Sequence, residues 1–428
     1  MSTPLSASMP AVQDNSLGAC SESELHAIQR LQFVDLPEAN QRLLALFQGA
    51  IPLKIVDASI IPRAVSLNSI SGSFYADDGS KYFFKTHVEP DSILREYYNV
   101  ELLESAGYPV VRPVCANHEP GRQIVVYPYL GTPTVFDLVR EVEAGLVPDQ
   151  DLLSAQKISD CELFSIYERT LQDTPASGSG SSSPIHQLFH HRLAGSRFKE
   201  FYAGKSIMIC GVELPFAELA GLRWSVNGIE YRESLGELIE SAAETLRPDL
   251  SQGPTVIGHG DAHNGNLFYE NSGSPLVYFD PAFAGRHSPL LDITKPLFHN
   301  IFANWMYFPN EVAEGLQTTC RLVGDRVEVS HNYQISPFRR QMLQLKAAHV
   351  LAPMCRGPLG SALAQFDWRR MLKAALLCCP LLTVNLANPA RFPSEVALLG
   401  FTQCIEVGGQ AVSERSFLDS LLDSLTSA

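Results

Sequence analysis

Residues 256–285, VIGHGDAHNGNLFYENSGSPLVYFDPAFAG, restrict the fold of this 428-residue chain more than any other segment. PTVIGHGD rises as an apolar strand into a polar turn. NLFYENSGSPLVYFD then reads as a β-hairpin, with a strand at 267–269, the turn residues ENSGSP, and a strand at 276–279. A hairpin returns to its starting point, so Asn266 just before it and Asp280 just after it have to be neighbours. One amide and one carboxylate oxygen held together suit Mg2+, which takes few protein ligands and completes its shell with water and phosphate oxygens. Asp261 precedes Asn266 on the same loop, where it can face the ion and accept a proton from an attacking hydroxyl. His259 and His263 read as braces of this loop, and His263 is also in a position to touch substrate or phosphate. Asp292, in PLLDIT, reads as a hydrogen-bonding anchor for the loop rather than a reacting group.

The chain before this segment changes character twice. Leu25 to Phe47 has helical apolar spacing, interrupted at Pro37. From Ile60 to Lys85 it reads as short strands, AVSL, NSISGS, FYA and KYFFK, with Asp78-Gly79 as a hairpin turn. DSILREYYNVELLESAGY is a helix, capped by Asp91 or Ser92 and stopped at Gly107. QIVVYPYLG is a strand that leaves through a Pro/Gly exit. Residues 50–130 therefore spell β-β-β-α-β. Beyond them the pattern is mostly helical, at 288–305, 337–350, 367–386 and 394–406, with a Ser/Gly-rich insertion at 174–184 that reads as a flexible loop. Residues 1–21 have the composition of a disordered tail.

Composition removes several functional classes. No run of eighteen apolar residues is present to cross a membrane, and the N-terminus lacks the basic start and apolar stretch of a secretory signal. A cytoplasmic protein is the expectation. The formal charge of −14 argues against binding nucleic acid through its phosphates. The nine cysteines form no CxxC pair, and their odd number suggests buried free thiols rather than a disulfide framework. His190 and His191 in FHHRL point to different helix faces, which argues against a metal pair.

Asp, four residues, Asn, hairpin, Asp is also the spacing of the kinase catalytic loop and its metal-binding Asp. HGDAHNGN resembles the HGDxHxxN loop of the aminoglycoside phosphotransferase and choline kinase-like superfamily. FDPAFAG, with LLDIT downstream, looks like the D-P-A variant of fructosamine-kinase-like members. The resemblance covers roughly residues 60–300. It implies an α+β, bilobal protein-kinase-like fold with a small β-rich N-lobe and a larger, mainly helical C-lobe. Residues 22–130 would form the N-terminal helix and nucleotide-binding small lobe. Residues 131–428 would form the large lobe, with the catalytic loop at 256–295 and a C-terminal helical substrate subdomain.

Carried over residue by residue, the resemblance makes Asp261 the catalytic base and Asn266 and Asp280 the metal ligands. Lys85 in KYFFKT matches the phosphate-holding lysine. It is preferred to Lys81, which sits at the turn, and Glu96 matches its helix partner. SLNSISGS would be the phosphate loop, with Ser69, Ser71, Gly72 and Ser73 facing the nucleotide, although it has a single glycine. VVYPYLG, with Tyr127 and Tyr129, resembles the hinge that holds adenine. Pro281 replaces the phenylalanine that protein kinases carry after the metal-binding Asp, which argues against a flipping activation segment. The implied activity is Mg2+-dependent transfer of the ATP γ-phosphoryl group to a hydroxyl, or an amine, of a small molecule. Nucleotidyl transfer, protein phosphorylation and non-catalytic nucleotide binding are the alternatives. Acidic residues in the C-terminal half favour a cationic acceptor, and a monomer or homodimer is expected, with no nucleic-acid or membrane partner.

Overall fold

The structure, a computed structural model, describes residues 24–62, 69–87, 96–119, 121–172, 182–250, 253–270, 275–412 and 414–426. The N-terminal tail, AVSL, the start of the expected 91–106 helix and most of the 174–184 insertion lie outside the described residues.

The small lobe is one antiparallel sheet in the order β1-β2-β3-β5-β4. Its strands are β1 (Ile55–Ile60), β2 (Ser69–Ala76), β3 (Lys81–His87), β4 (Cys115–Asn117) and β5 (Ile124–Pro128). The Asp78-Gly79 turn joins β2 to β3, with Gly79 at φ 83°. Period-two alternation in β3 separates two faces. Phe84 enters a core on the back of the sheet with Phe74, Ile70, Ile124 and Val126. Helices α1 (Glu24–Leu31) and α2 (Leu36–Phe47) cover that back face through Leu25, Ile28, Leu43 and Phe47. Pro37 does not break a helix; it stands in the first turn of α2, whose N-terminus is capped by Asp35. Phe83 faces the other way and packs with Val125, Tyr127, Val111 and Phe279, a small cluster that joins the sheet to the end of the 267–278 hairpin. Helix α3 (Glu96–Ala106) lies between β3 and β4 in the chain.

The large lobe is built around the helix Pro289–Ile301, every residue of which is buried. It packs on the long C-terminal helix Trp368–Thr383 and on Pro337–Lys346. A helix buried all round has no solvent face on which to leave polar groups. Asp292, Lys295, His299 and Asn300 therefore need partners, or a purpose, inside the protein.

The large lobe also contains strands that the helical reading missed. Ser206–Ile209 pairs with Val212–Pro215, and a second sheet joins Thr318–Val323, Arg326–His331, Arg223–Val226 and Ile229–Glu230. Their turns carried a legible signal. Asn227-Gly228 and Cys210-Gly211 are two-residue hairpin loops with positive φ at both positions, the type I′ geometry that Asn-Gly favours. The free-thiol expectation is corrected for two cysteines: Cys210 and Cys320 are disulfide-bonded, which ties one of these hairpins to the other sheet. Cys378, Cys379 and Cys404 are buried free thiols, whereas Cys161 is free and exposed.

Candidate active site

The segment 256–285 folds as strand, loop and hairpin. Val256–Gly258 pairs with Gly285–His287, and Leu267–Tyr269 pairs with Leu276–Tyr278. The register sets Leu267 opposite Tyr278, and the Phe279 N–H donates to the Asn266 carbonyl at 3.1 Å. Asn266 and the residue preceding Asp280 are thus bonded neighbours. Stacking of Phe268 on Phe279, at 4.5 Å between ring centres, adds to this closure.

The loop between these strands is held from several sides. Gly260 has φ 82°, and a Cβ there would lie 2.4 Å from the Phe283 carbonyl oxygen, so only glycine fits. The Gly260 N–H donates to Asp292 Oδ1 at 2.6 Å. The same carboxylate accepts from His287 Nε2 at 3.0 Å and, through Oδ2, from the Tyr167 hydroxyl at 2.5 Å. Burial would raise the Asp292 pKa, but His287, the Tyr167 hydroxyl and the Gly260 N–H hold it below the usual carboxylate range. His259 is fully buried; its Nε2 lies 3.0 Å from the Phe279 carbonyl and its Nδ1 accepts from the Asp261 N–H at 3.4 Å. These partners assign the proton to Nε2.

His263 caps the short turn Asn264–Asn266 by accepting the Gly265 N–H on Nδ1 at 3.0 Å, which leaves Nε2 4.0 Å from Asp261 Oδ1. Burial pushes the His263 pKa down to about 4. The imidazole is therefore expected to stay neutral across pH 5–8. Nitrogen-detected NMR of the ring should show no titration above about pH 5; a midpoint near the ordinary 6.5 would contradict the buried, capped geometry.

Asp261 stands at the centre. Asn266 donates its amide N–H to the Asp261 carbonyl oxygen at 2.9 Å. The Asp261 side-chain atom Oδ1 is buried and has no hydrogen-bond partner among the described residues. Burial alone would raise its pKa; Lys295, Arg192 and Lys85 outweigh that and keep the carboxyl below its ordinary value. The group is thus an anion with free accepting capacity.

The opposite wall comes from the small lobe. Lys85 forms an ion pair with Asp280 Oδ2, both side chains being nearly buried. Asp280 has φ 61°, a left-handed conformation that Asp tolerates better than most residues. Lys81, four residues earlier on the same face of β3, stands instead at the turn end of the strand, half-buried over the Tyr129 ring at 3.9 Å from its centre. Ser71 and Ser73 pair with Lys85 and Phe83 and so share their face. Gly72 pairs with Phe84 on the other face; a Cβ there would meet the Ser59 carbonyl at 2.1 Å and the Phe84 ring at 2.8 Å. Its glycine is explained by close strand packing, in correction of the reading as a phosphate-loop turn. Tyr127 is buried between the lobes, and Tyr129 is exposed at the strand exit. Residues 66–68 of the expected phosphate loop, and the side chains of Ser69 and Glu96, lie outside what is described.

Four contributors carried no local sequence signal. Asn99, on α3, donates to the Pro281 carbonyl at 2.8 Å and fixes the segment after Asp280. Asn300 accepts the Asn264 N–H at 2.8 Å. Lys295 and Arg192 both act electrostatically on Asp261.

The donor set fits Mg2+. The nitrogen of the Asn266 amide is committed to the Asp261 carbonyl, so its oxygen is the atom left to face a cation, and Asp280 supplies a carboxylate from the other end of the hairpin. Among the described residues no cluster of three His, Cys, Asp or Glu can hold a metal unaided. An ion here would need oxygens from a bound nucleotide and water, as Mg2+ commonly does.

No protein-family model matches the chain, and no curated protein matches it. Solved structures do. A macrolide 2'-phosphotransferase type I matches at 14% identity, covering 85% of this chain and 96% of its own, with a TM-score of 0.39. A thermostable aminoglycoside phosphotransferase variant, in ternary complex with ADP and hygromycin B, matches at 11% identity, 82% and 93% coverage and TM-score 0.43. Plasmodium vivax ethanolamine kinase matches at 9% identity, 95% and 94% coverage and TM-score 0.36. At such values the likeness carries no functional weight, which falls on the geometry above.

Proposed function

We propose that this chain is an ATP-dependent phosphotransferase that moves the γ-phosphoryl group to a hydroxyl of a small molecule. One observation supports this most: Asp261, a carboxylate 15% exposed whose buried Oδ1 has free accepting capacity among the described residues, stands on the same loop as the Asn266–Asp280 closure, into which the small lobe projects Lys85. Asp261 orients the acceptor hydroxyl and takes its proton. Lys85 holds the nucleotide phosphates, with Ser71 and Ser73 on the same face of the sheet. Asn266 and Asp280 would hold Mg2+, which when bound neutralises phosphate charge. His259, His263 and Asp292 keep the loop rigid, so catalysis draws mainly on positioning and on fixed charges in a dry site. Among the described residues no helix is long and apolar enough to cross a membrane. A cytoplasmic setting is the reading that fits this proposal.

The test compares two lysines on one strand. Lys85→Ala should lower kcat/KM for ATP by about 10²-fold or more, the scale of losing one preorganised charge on a transferring phosphoryl group. Lys81→Ala, at the turn end of the strand and away from the Asp280 ion pair, should change it by no more than about twofold, as substitutions outside such contacts usually do. An essential Lys81 with a dispensable Lys85 would overturn the site. Mass spectrometry of the product should show one added phosphoryl group on the acceptor and ADP released.

A further inference from the structure

Three cationic side chains of the described residues are classed as fully buried: Arg339, Lys295 and Lys346. Two have carboxylate partners. Lys346 pairs with Asp160, and Arg339 with Glu143 at 2.8 Å. Lys295, 5% exposed, has none within 4.0 Å among the described residues; its hydrogen bond goes to His299 Nε2 at 3.2 Å. His299 in turn bonds the Tyr307 hydroxyl through Nδ1 at 2.6 Å, so it faces Lys295 as a neutral acceptor and brings no negative charge. Asp261 acts on Lys295 only from beyond contact distance, and burying an ammonium with no carboxylate in contact is expensive, so folded chains rarely keep one without a use.

Its position suggests that use. Lys295 and His299 lie one turn apart on the central helix, and the His299 ring stands 5.7 Å from that of His263, beside Asp261. Arg192, from the short helix His190–Ala194, acts on the same spot and likewise has no carboxylate within 4.0 Å among the described residues. Lys295 and Arg192 thus set two positive charges against the single carboxylate of Asp261. Lys85 and Asp280 balance each other separately, on the nucleotide side. The site is a positive spot inside a molecule of net charge −14.

Resting on the phosphotransferase reading, we propose that the acceptor is an anion, a hydroxy acid or a phosphorylated polyol, whose carboxylate or phosphate is bound by Lys295 and Arg192 while its hydroxyl sits at Asp261. This reverses the expectation of a cationic acceptor, which rests on acidic residues of the C-terminal half rather than on charge at the site. The two cations reach Asp261 from helices of the large lobe, whereas Lys85 serves the nucleotide from the small lobe. In the transfer, the acceptor oxygen bonds to the γ-phosphorus and its proton passes to Asp261. The bond to the β,γ-bridging oxygen breaks, ADP leaves, and the acceptor's own anionic group is unchanged.

The experiment measures ATP consumption with matched acceptors: glycerol against D-glycerate, and glucose against gluconate, glucose 6-phosphate and glucosamine. Wild-type protein should use an anionic acceptor with kcat/KM about 10²-fold or more above its neutral counterpart, the scale of a buried charge pair. Lys295→Gln should erase that preference by raising KM for the anion, with KM for ATP moving less than about threefold. Lys295→Met should melt at a higher temperature than wild type, because it removes a buried charge without a partner; a lysine kept for structure would give the opposite shift. Preference for glycerol, glucose or glucosamine would overturn the inference and leave the phosphotransferase reading standing. A rise in KM for ATP in Lys295→Gln would also overturn it, by placing the cation on the γ-phosphate. No acceptor-dependent ADP release from any of the six compounds, with the nucleotide bound, would overturn both.

Discussion

Asp261→Asn is expected to lower kcat by about 10²–10⁴-fold while ATP affinity changes by less than about tenfold. The substitution keeps the shape of the side chain and removes its charge. The loop should survive it, because the bonds that fix residue 261 use its backbone: the carbonyl receives the Asn266 amide, and the N–H reaches His259. The side-chain oxygen Oδ1 has no partner to lose. What disappears is the acceptor for the substrate proton. A loose, dissociative transition state asks less of a base and would put the effect at the lower end of the range. Steady-state kinetics with parallel titration of ADP binding separates the two quantities. Turnover within about threefold of wild type would make Asp261 a structural loop residue and leave the site without its base.

The second large effect is on stability. Asp292→Ala should destabilise the protein by about 3–5 kcal/mol, the range for removing one partner of a buried charged network. The side chain is 2% exposed, and its removal strands the His287 imidazole, the Tyr167 hydroxyl and the Gly260 N–H together. Urea denaturation should show the loss as a lower midpoint, and catalysis should fall too, because the Gly260 contact sets the loop that carries Asp261. The pH dependence has a definite sign. The folded-state pKa of Asp292 is depressed, so its contribution is fully present above the unfolded value of about 3.9 and is lost as pH falls through the folded value. Wild-type stability should therefore fall more steeply than that of Asp292→Ala in the acid range below about pH 4. Parallel curves for the two proteins would show that the carboxylate is not held as described.

The local parts of this architecture were readable from the chain. ENSGSP between two apolar triplets located the hairpin after Asn266, and the place of Lys81 at the Asp78-Gly79 turn, rather than alternation, set it apart from Lys85, since the two lysines share one face of the strand. Residues joined across the fold were not readable. Lys295 sits in LLDITKPLFHN, an apolar helix in which one lysine looks like an interruption; only its burial with no carboxylate in contact among the described residues gives it meaning. Asn99 meets Pro281 across 182 positions, a separation no local pattern encodes. The strands around Asn227-Gly228 and Gly324-Asp325 are a different case. Their turn residues were in plain view, but runs of two to six residues between helical patterns give alternation too few periods to register.

The Asn99 contact bears on how nucleotide binding energy is used. The amide ties α3, the helix between the phosphate-facing strand and the rest of the sheet, to the backbone that follows Asp280. Moving one without the other would expose a buried amide and a carbonyl, at about 1–3 kcal/mol for the unsatisfied group. Little ordering is then left for ATP to bring about on arrival. Association need not spend its free energy assembling the site, and that energy remains for strain and charge stabilisation in the transition state. Calorimetrically, ATP should bind with a small heat-capacity change, close to that of surface contact alone, rather than the large negative value that accompanies closing an apolar cleft.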